Sequence, residues 1–395
     1  MFMKNILKYA SLFFTTAMLA ISCGGPLDDT TDPENGNGNG NGNGNNNGNT
    51  EVVDGTLTIE VDKQIIQSNG TDAATFSVYH DGTKVTSDVI FHNAAAKDAV
   101  VEMPDFKFTA TTAGEYRIWA EYKGLFTKGE VKITAVASEV PTSPVDPQPS
   151  NTSFVRNVLL IQFTGSECGN CPLMKAGIKQ AFEKNPEFKD YVVKVDAHNY
   201  STQDPAYLAG FYSPADGWPT TIVDWKYAFG AYQTVTQTVA QVESAIKTAY
   251  SDADAKAGIS VNAKYADGVI TIKAVVKAAV TDTYRIGAFL TEDGIQGQQA
   301  DYYGMHEDWM DIFDDSIRIA DCKVSARNYT GHSLGQIEAG KTGEYMFIMN
   351  LKNSWNVDKL ELVLFASTKD NNGNECVNNV VKAPINGEVQ FNYAK

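Results

Sequence analysis

The residues best suited to chemistry are two cysteines, Cys168 and Cys171, in the stretch FTGSECGNCPLM at positions 163–174. The C-x-x-C spacing places two thiols within one turn of a helix, where they can form and break a disulfide bond. Cys168 would lie at the helix N-terminus, where free N–H groups and the helix dipole stabilise a thiolate, and Cys171 would resolve the mixed disulfide. The sequence predicts an exchangeable redox pair, and a purely structural disulfide is the main alternative.

Other kinds of chemistry find less support in the sequence. A zinc site would need a second C-x-x-C or an H-x₃₋₅-H motif, and neither occurs; hydrolase and phosphate-binding motifs are also missing. The acidic residues between Glu307 and Asp315 could offer oxygen ligands to calcium, but their spacing favours a solvated acidic face. The sequence therefore predicts no cofactor and no metal.

Several further residues allow two interpretations each. His198 is predicted to be a hydrogen-bonded loop histidine rather than a proton-transfer group. Cys322 and Cys376 are predicted to form a structural disulfide that ties a long loop to the last strands, the alternative being two free, buried thiols. Core packing is favoured over a carbohydrate- or protein-binding surface for a group of aromatic residues, namely Tyr302, Tyr303, Trp309 and Phe313.

The N-terminal segment MFMKNILKYASLFFTTAMLAISC has two lysines, then an apolar core too short to span a membrane. It resembles a bacterial lipoprotein signal, with residues 1–22 as the signal peptide. The resemblance implies that Cys23 becomes a lipidated N-terminus, and acyl chains there would anchor the protein to a membrane. Residues 23–51 then carry an Asn/Gly run that cannot bury apolar surface and is predicted to be a disordered tether.

The chain has 395 residues and a net charge of −16, from 32 Lys and Arg against 48 Asp and Glu. Such a length suggests two or three domains. A strongly acidic chain without a basic stripe repels phosphate backbones, so nucleic acid is not expected among its partners.

Periodicity and composition divide the remainder of the chain into three parts and a linker. Residues 52–138 read as short strands separated by turns, an all-β sandwich, and residues 139–152 are a Pro-rich linker. Residues 153–254 alternate strands and helices, with a strand buried on both faces before Cys168 and a short helix expected in DPAYLAGFY from Asp204. In residues 255–395, apolar and polar residues again alternate at period two, which predicts a second antiparallel sandwich.

These motifs carry two resemblances. IIQSNGTDAATFSVYHDGTKVT and GEYRIWAEYKG resemble bacterial immunoglobulin-like repeats, which implies a spacer or adhesive module. FTGSECGNCP with GWPTTIVDW resembles thioredoxin, and with the leader the chain resembles the thioredoxin-like outer-membrane lipoproteins of the Omp-twenty-eight family. This implies a thioredoxin-like α/β domain at 153–254, an outer-membrane location facing the periplasm or the cell surface, and a cis Pro219 that positions substrate against the cysteine pair.

Two positions depart from the thioredoxin pattern. Gln162 stands where thioredoxins carry a buried acid, and Glu167 stands where they usually carry Trp, so its charge raises the cost of a neighbouring thiolate. Both departures predict that the thiol of Cys168 has a higher pKa and exchanges more slowly than in a typical thioredoxin. Two functions follow: thiol–disulfide exchange on exported proteins or peptides, or surface binding, adhesion or a structural role in which this domain is only a scaffold.

Overall fold

The computed structural model describes residues 53–211, 217–252, 254–325 and 328–395. The predicted signal peptide, the lipidated Cys23 and the Asn/Gly tether lie outside the described residues. β-Strands dominate the described part, which contains three α-helices. None of these helices combines the length and apolar character that crossing a membrane would require.

The N-terminal module consists of strands arranged in two sheets around one core. In β-strand Gly114–Tyr122, Ile118 and Ala120 are buried in this core, and the alternation of the sequence predicts that face. Tyr116 Oη donates to the Thr112 carbonyl at 2.8 Å. The immunoglobulin-like assignment stays a prediction. The strands are β1 Leu57–Val61, β2 Ile65–Gln67, β3 Ala74–His80, β4 Thr83–Val85, β5 Val89–Asn93, β6 Ala99–Val101, β7 Lys107–Phe108, β8 Gly114–Tyr122, β9 Leu125–Phe126 and β10 Val131–Val136, with 3₁₀ turns at Ala94–Ala96 and Pro104–Phe106.

The middle of the chain contains all three α-helices. The first strand after the linker is buried along its whole length, as its apolar run predicts. Pro172 occupies the first turn of the following helix, where its missing N–H costs no hydrogen bond. Met174 and Ile178 of that helix pack against Leu160. The elements are β11 Val158–Thr164, α1 Cys171–Lys184, α2 Phe188–Tyr191, β12 Val192–His198, β13 Thr220–Val223, β14 Tyr227–Gly230 and α3 Val235–Ser251.

The remainder of the chain is built from strands with two short 3₁₀ turns. These strands are β15 Ala257–Ala266, β16 Val269–Ala278, β17 Asp282–Glu292, β18 Ile295–Gln296, β19 Ile312–Phe313, β20 Ser316–Asp321, β21 Lys323–Ser325, β22 Asn328–Thr330, β23 His332–Ile337, β24 Thr342–Asn350, β25 Leu360–Lys369, β26 Glu375–Pro384 and β27 Gly387–Val389, with 3₁₀ turns at Asp308–Asp311 and Val357–Lys359.

The predicted fold class is wrong in its central element, a thioredoxin-like α/β domain followed by a separate C-terminal sandwich. Instead, one nine-stranded sheet runs in the order β14-β13-β11-β12-β20-β17-β25-β26, with β23 also paired to β17. The junction is at Asp196 of β12, which pairs with Ser316 of β20. Because an unpaired edge of β12 would leave backbone groups without partners, strands from the C-terminal part extend the sheet. The result is a mostly-β protein.

This sheet curls so that β26, its last strand, approaches the residue before β11 and the turn after β13. The Val377 N–H donates to the Asp224 carbonyl at 3.0 Å, and the Asn157 N–H donates to Asn379 Oδ1 at 2.9 Å. One apolar cluster fills the concave side and joins Phe163 of β11 with Phe365 of β25. On the convex side, α1 and α3 cover β11, while a four-stranded sheet of β24, β16, β15 and β27 covers β17 and β25. The curled sheet thereby fixes the end of β11, from which the cysteine pair follows.

Candidate redox site

The cysteine pair lies in the turn between β11 and α1. Cys168 and Cys171 are joined by a disulfide bond, with their Cα atoms 5.4 Å apart. Two backbone hydrogen bonds shape the turn: the Cys168 N–H donates to the Gly165 carbonyl at 3.1 Å, and the Cys171 N–H donates to the Cys168 carbonyl at 3.0 Å. Cys168 therefore lies three residues before α1 and Cys171 is the first residue of α1.

Both cysteines are shielded from solvent. Cys168 is 3% exposed and Cys171 is fully buried, whereas Glu167 beside them is exposed. Cys168 precedes the first turn of α1, whose N–H groups have no carbonyl partners within the helix. A thiolate formed at Cys168 would be stabilised by those groups and opposed by the charge of Glu167.

Pro219 also lies at this end of the sheet. The Trp218–Pro219 peptide bond is cis, as predicted. Trp218 is held in place by a hydrogen bond from its Nε1 to Asn199 Oδ1 at 2.7 Å, and Tyr200 packs edge-on against its ring. A groove of about 350 Å³ runs beside the cysteine turn, lined by Asn170, Leu173, Trp218, Pro219, Tyr232 and Tyr303 among others. The groove is thus bounded by aromatic rings and by the residues next to the disulfide.

A segment from the C-terminal part of the chain crosses the cysteine turn. The Ala300 N–H donates to the Ser166 carbonyl at 2.6 Å, and the Tyr302 N–H donates to the Gly169 carbonyl at 2.9 Å. Tyr303 Oη lies 3.2 Å from Asn170 Oδ1. Sequence reasoning did not connect this segment with the cysteines, although its paired tyrosines marked it as a possible binding surface.

His198 is buried at the end of β12 and pairs with a carboxylate. Its Nδ1 lies 2.9 Å from Asp204 Oδ2, and both side chains are fully buried. The same oxygen accepts the Ser166 N–H at 2.6 Å, two residues before Cys168. Although burial opposes the charged form, the His198 hydrogen bond and charge and two backbone N–H groups lower the pKa of Asp204. The predicted hydrogen bond of His198 is present, but the residue ends strand β12 instead of lying in a loop. Its partner Asp204 also holds the cysteine turn through the Ser166 N–H.

Charged groups that the sequence analysis did not single out lie beneath α1. Gln162 of β11 is 1% exposed and pairs in register with Asp196 of β12. The Asp196 carboxylate forms an ion pair with Lys194 Nζ at 2.9 Å.

Lys175 of α1 is buried above Phe313, and its Nζ donates to the Met310 carbonyl at 3.1 Å. Burial lowers the pKa of Lys175 to about 8, against the opposing attraction of Asp196. A lysine at an i+4 position from Cys171 is the signal that sequence reasoning missed.

Cys322 and Cys376 are free thiols in the structure, so the predicted bond between them is not formed there. Burial, together with Asp321, raises the pKa of Cys322 to about 12, and burial also raises the pKa of Cys376. Both thiols are therefore poorly reactive at neutral pH.

The aromatic residues near this region divide into two groups. Phe313 is buried, as predicted. Tyr302 and Tyr303 are 74% and 51% exposed, so the prediction of core packing is wrong for these two residues. The neighbouring acidic residues are engaged locally: Asp311 Oδ1 accepts from the Gln299 N–H at 2.8 Å and lies 2.9 Å from His306 Nε2. Within the described ranges, no group of three potential ligands is arranged to hold a metal ion.

Comparison with known proteins gives one family match. Residues 212–389 match the family described as Outer membrane protein Omp28. The match begins after Cys168 and Cys171 and includes Pro219, α3 and the C-terminal strands. It covers less than half of the chain, and it supports an outer membrane protein.

Two individual proteins also show similarity. The fold is similar to HBP35 of Porphyromonas gingivalis with a TM-score of 0.47 and 17% identity, over 59% of this chain and 76% of that chain. A stretch of 79 residues is 39% identical to large ribosomal subunit protein bL21 of Psychromonas ingrahamii, over 20% of this chain and 68% of that protein. The second similarity is local, and a net charge of −16 is opposite to what binding to RNA requires, so no ribosomal role is carried over.

Proposed function

We propose that this protein is an outer-membrane lipoprotein that exchanges disulfides with thiols of exported proteins or peptides. The observation that carries the proposal is the disulfide Cys168–Cys171 at the N-terminus of α1, beside a groove that contains Pro219. The family match supports the outer membrane location, and the leader with Cys23 supports lipid anchoring. An oxidising compartment outside the cytoplasm suits a disulfide-bonded pair.

The chemistry is a reversible two-step exchange. A substrate thiolate attacks Cys168 Sγ, the bond to Cys171 breaks, and Cys171 leaves as a thiolate that takes up a proton. A second substrate thiolate then attacks the substrate sulfur of the mixed disulfide, and Cys168 leaves. The substrate dithiol loses two electrons and two protons, and the cysteine pair gains them. In the reverse direction Cys168 attacks a substrate disulfide and Cys171 resolves the mixed disulfide.

The surroundings assign different roles to the two sulfurs. Cys168 lies in the turn before α1, outside the helix, so we take it as the sulfur that a substrate would meet. Cys171 is fully buried within the first turn of α1, which suits a resolving thiol that contacts no substrate. Trp218 and Pro219 would position an extended substrate segment along the groove. Gln162 cannot titrate, and Glu167 opposes the thiolate, so exchange is expected to be slow.

A second candidate function, surface binding, is favoured by the N-terminal module. The outward face of its six-stranded sheet exposes apolar side chains: Ile90 is 45%, Val100 60% and Phe126 57% exposed. Trp119, on the same face, stacks on His92 and contacts Phe126. Exposed apolar residues clustered on one face are typical of an interaction surface. On this alternative the cysteine pair would be a structural staple.

Trapping of mixed disulfides tests the proposal. In Cys171→Ser the resolving thiol is gone, so Cys168 should accumulate mixed disulfides with exported proteins in intact cells. Cys168→Ser should accumulate no mixed disulfides. The double variant Cys171→Ser/Cys168→Ser, which has neither thiol, should also accumulate none. Equal, negligible trapping by Cys171→Ser and Cys168→Ser would exclude exchange in favour of the binding function.

A further inference from the structure

We infer that the covering segment, Gln299–Tyr303, is part of the redox site: it shields Cys168 and governs how fast and how readily the disulfide is reduced, with Gln299 as a positioning residue. The inference rests on the proposed function and extends it to a segment far away in the sequence. It concerns the control of exchange rather than the exchange itself.

The main chain of the covering segment follows the cysteine turn. Ala300 and Tyr302 donate their N–H groups to the carbonyls of Ser166 and Gly169, which lie on either side of Cys168. The segment runs along the turn and occupies the carbonyls to which an incoming polypeptide would otherwise bond. A substrate that approaches Cys168 from this side must first displace it.

Gln299 ties the segment to the turn from within. Its side chain is 3% exposed, and its Nε2 lies 3.1–3.2 Å from the carbonyl oxygens of Gly165, Ser166 and Cys168. Its own N–H is anchored to Asp311 Oδ1 at 2.8 Å. Carbonyl dipoles beside a sulfur disfavour a thiolate, and an amide donor offsets them. Gln299 should therefore stabilise the reduced pair as well as hold the turn in place.

Tyr302 forms the outer part of the cover. A Cβ atom at position 169 would lie 2.4 Å from the Tyr302 ring, so the ring packs directly on Gly169 between the two cysteines. Yet Tyr302 and Tyr303 remain more than half exposed, and no core holds them. A segment attached by a few hydrogen bonds and one ring contact can open locally without unfolding the sheet.

Removal of the ring tests the shielding. In the full chain, Tyr302→Ala should speed reduction of the Cys168–Cys171 disulfide by dithiothreitol by about threefold or more, because exchange rates depend on access to the sulfur. Tyr302→Phe keeps the ring and should keep the wild-type rate, and Tyr250→Ala removes an exposed tyrosine of α3 as a control. A smaller increase for Tyr302→Ala would overturn the shielding role.

A second measurement tests Gln299, because a merely structural contact would leave the equilibrium unchanged. Gln299→Ala should shift the equilibrium with glutathione about threefold toward the disulfide and raise the pKa of Cys168 in the reduced protein. Gln298→Ala, at the adjacent exposed position, should change neither. An unchanged equilibrium in Gln299→Ala would overturn its positioning role.

Failure of the proposed function would be recognised separately. If Cys171→Ser trapped no substrates, the exchange proposal would fall, but reduction of the wild-type disulfide by dithiothreitol would still report whether the covering segment shields it. If trapping succeeded and Tyr302→Ala left the rate of reduction unchanged, only the inference about the segment would fall.

Discussion

His198 Nδ1 lies 2.9 Å from Asp204 Oδ2, and this single buried carboxylate oxygen also accepts the N–H of Ser166 at 2.6 Å. The end of β12, the loop after it and the turn that carries Cys168 are therefore joined at one charge. This contact cannot be predicted from a sequence motif, because Ser166 and Asp204 are 38 residues apart. The pair therefore holds the turn through the backbone N–H of Ser166.

Loss of the Asp204 charge should destabilise the protein. Asp204→Asn should lower the free energy of unfolding at pH 7 by about 2 kcal/mol, since the buried N–H groups of Ser166 and Ala206 lose a charged acceptor. The folded pKa of Asp204 is lowered, so its contribution is present above the unfolded value near 3.9 and is lost as the pH falls through the folded value. Denaturant titrations between pH 7 and pH 3 measure this.

The matched control for this prediction is Asp190→Asn, at an exposed aspartate of α2. It should leave stability nearly unchanged at every pH. If Asp204→Asn were as stable as the wild type at pH 7, or if the difference were the same at pH 3, the carboxylate would not carry the charge that the turn needs.

Lys175 should make stability rise with pH. Burial lowers its folded pKa to about 8, below the unfolded value of about 10.4, so the folded state releases its proton first. Relative to Lys175→Met, the wild-type free energy of unfolding should therefore increase by about 2–3 kcal/mol between pH 7.5 and pH 10. Lys189→Met, at an exposed lysine of α2, is the control. Parallel stability curves for wild type and Lys175→Met would contradict the burial of a charge there.

The free thiols can be counted directly. The Cys23→Ser chain, denatured without reductant, should show two thiols per chain, from Cys322 and Cys376, and four after reduction. In the native protein at pH 8, Cys322 should alkylate far more slowly than a model thiol because burial raises its pKa. A count of zero before reduction would show that Cys322 and Cys376 do pair, as the sequence analysis expected.

The proposed lipid anchor on Cys23 can be tested separately. Cys23→Ser should move the protein from the membrane fraction to the soluble fraction and abolish labelling by a fatty acid, because each buried CH₂ contributes about 0.8 kcal/mol to anchoring. Cys376→Ser, which changes a cysteine elsewhere, should stay with the membrane and keep the label. Retention of Cys23→Ser in the membrane fraction would rule out lipid on Cys23 as the anchor.

Local features of the site could be read from the sequence. The apolar run of β11 and Pro172 in the first turn of α1 were predicted because each depends on neighbouring residues alone. The cis bond at Pro219 was predicted from the resemblance to thioredoxin. The short helix expected from Asp204 is wrong: the Asp204 side chain turns back to accept the Ala206 N–H and bonds to Ser166, so the chain forms turns there.

The pairing of strands that are distant in the sequence could not be predicted in the same way. Period-two strands such as β17 and β20 are recognisable, but their periodicity does not reveal which edge they join. Asp196 pairs with Ser316 across 120 residues, and this one bridge replaces two predicted domains by a continuous sheet. The contact of the covering segment could not be predicted for the same reason, since Gln299 and Cys168 are 131 residues apart in the sequence.

The central claim is that Cys168 and Cys171 form an exchangeable couple, and its most direct test is the reduction potential of the pair. Cys23→Ser protein would be equilibrated in glutathione buffers of defined ratio, and the reduced and disulfide forms would be quantified by alkylation. The proposed function predicts a potential above about −270 mV, within the range of catalytic couples. A potential below about −300 mV would identify a structural staple and contradict the account.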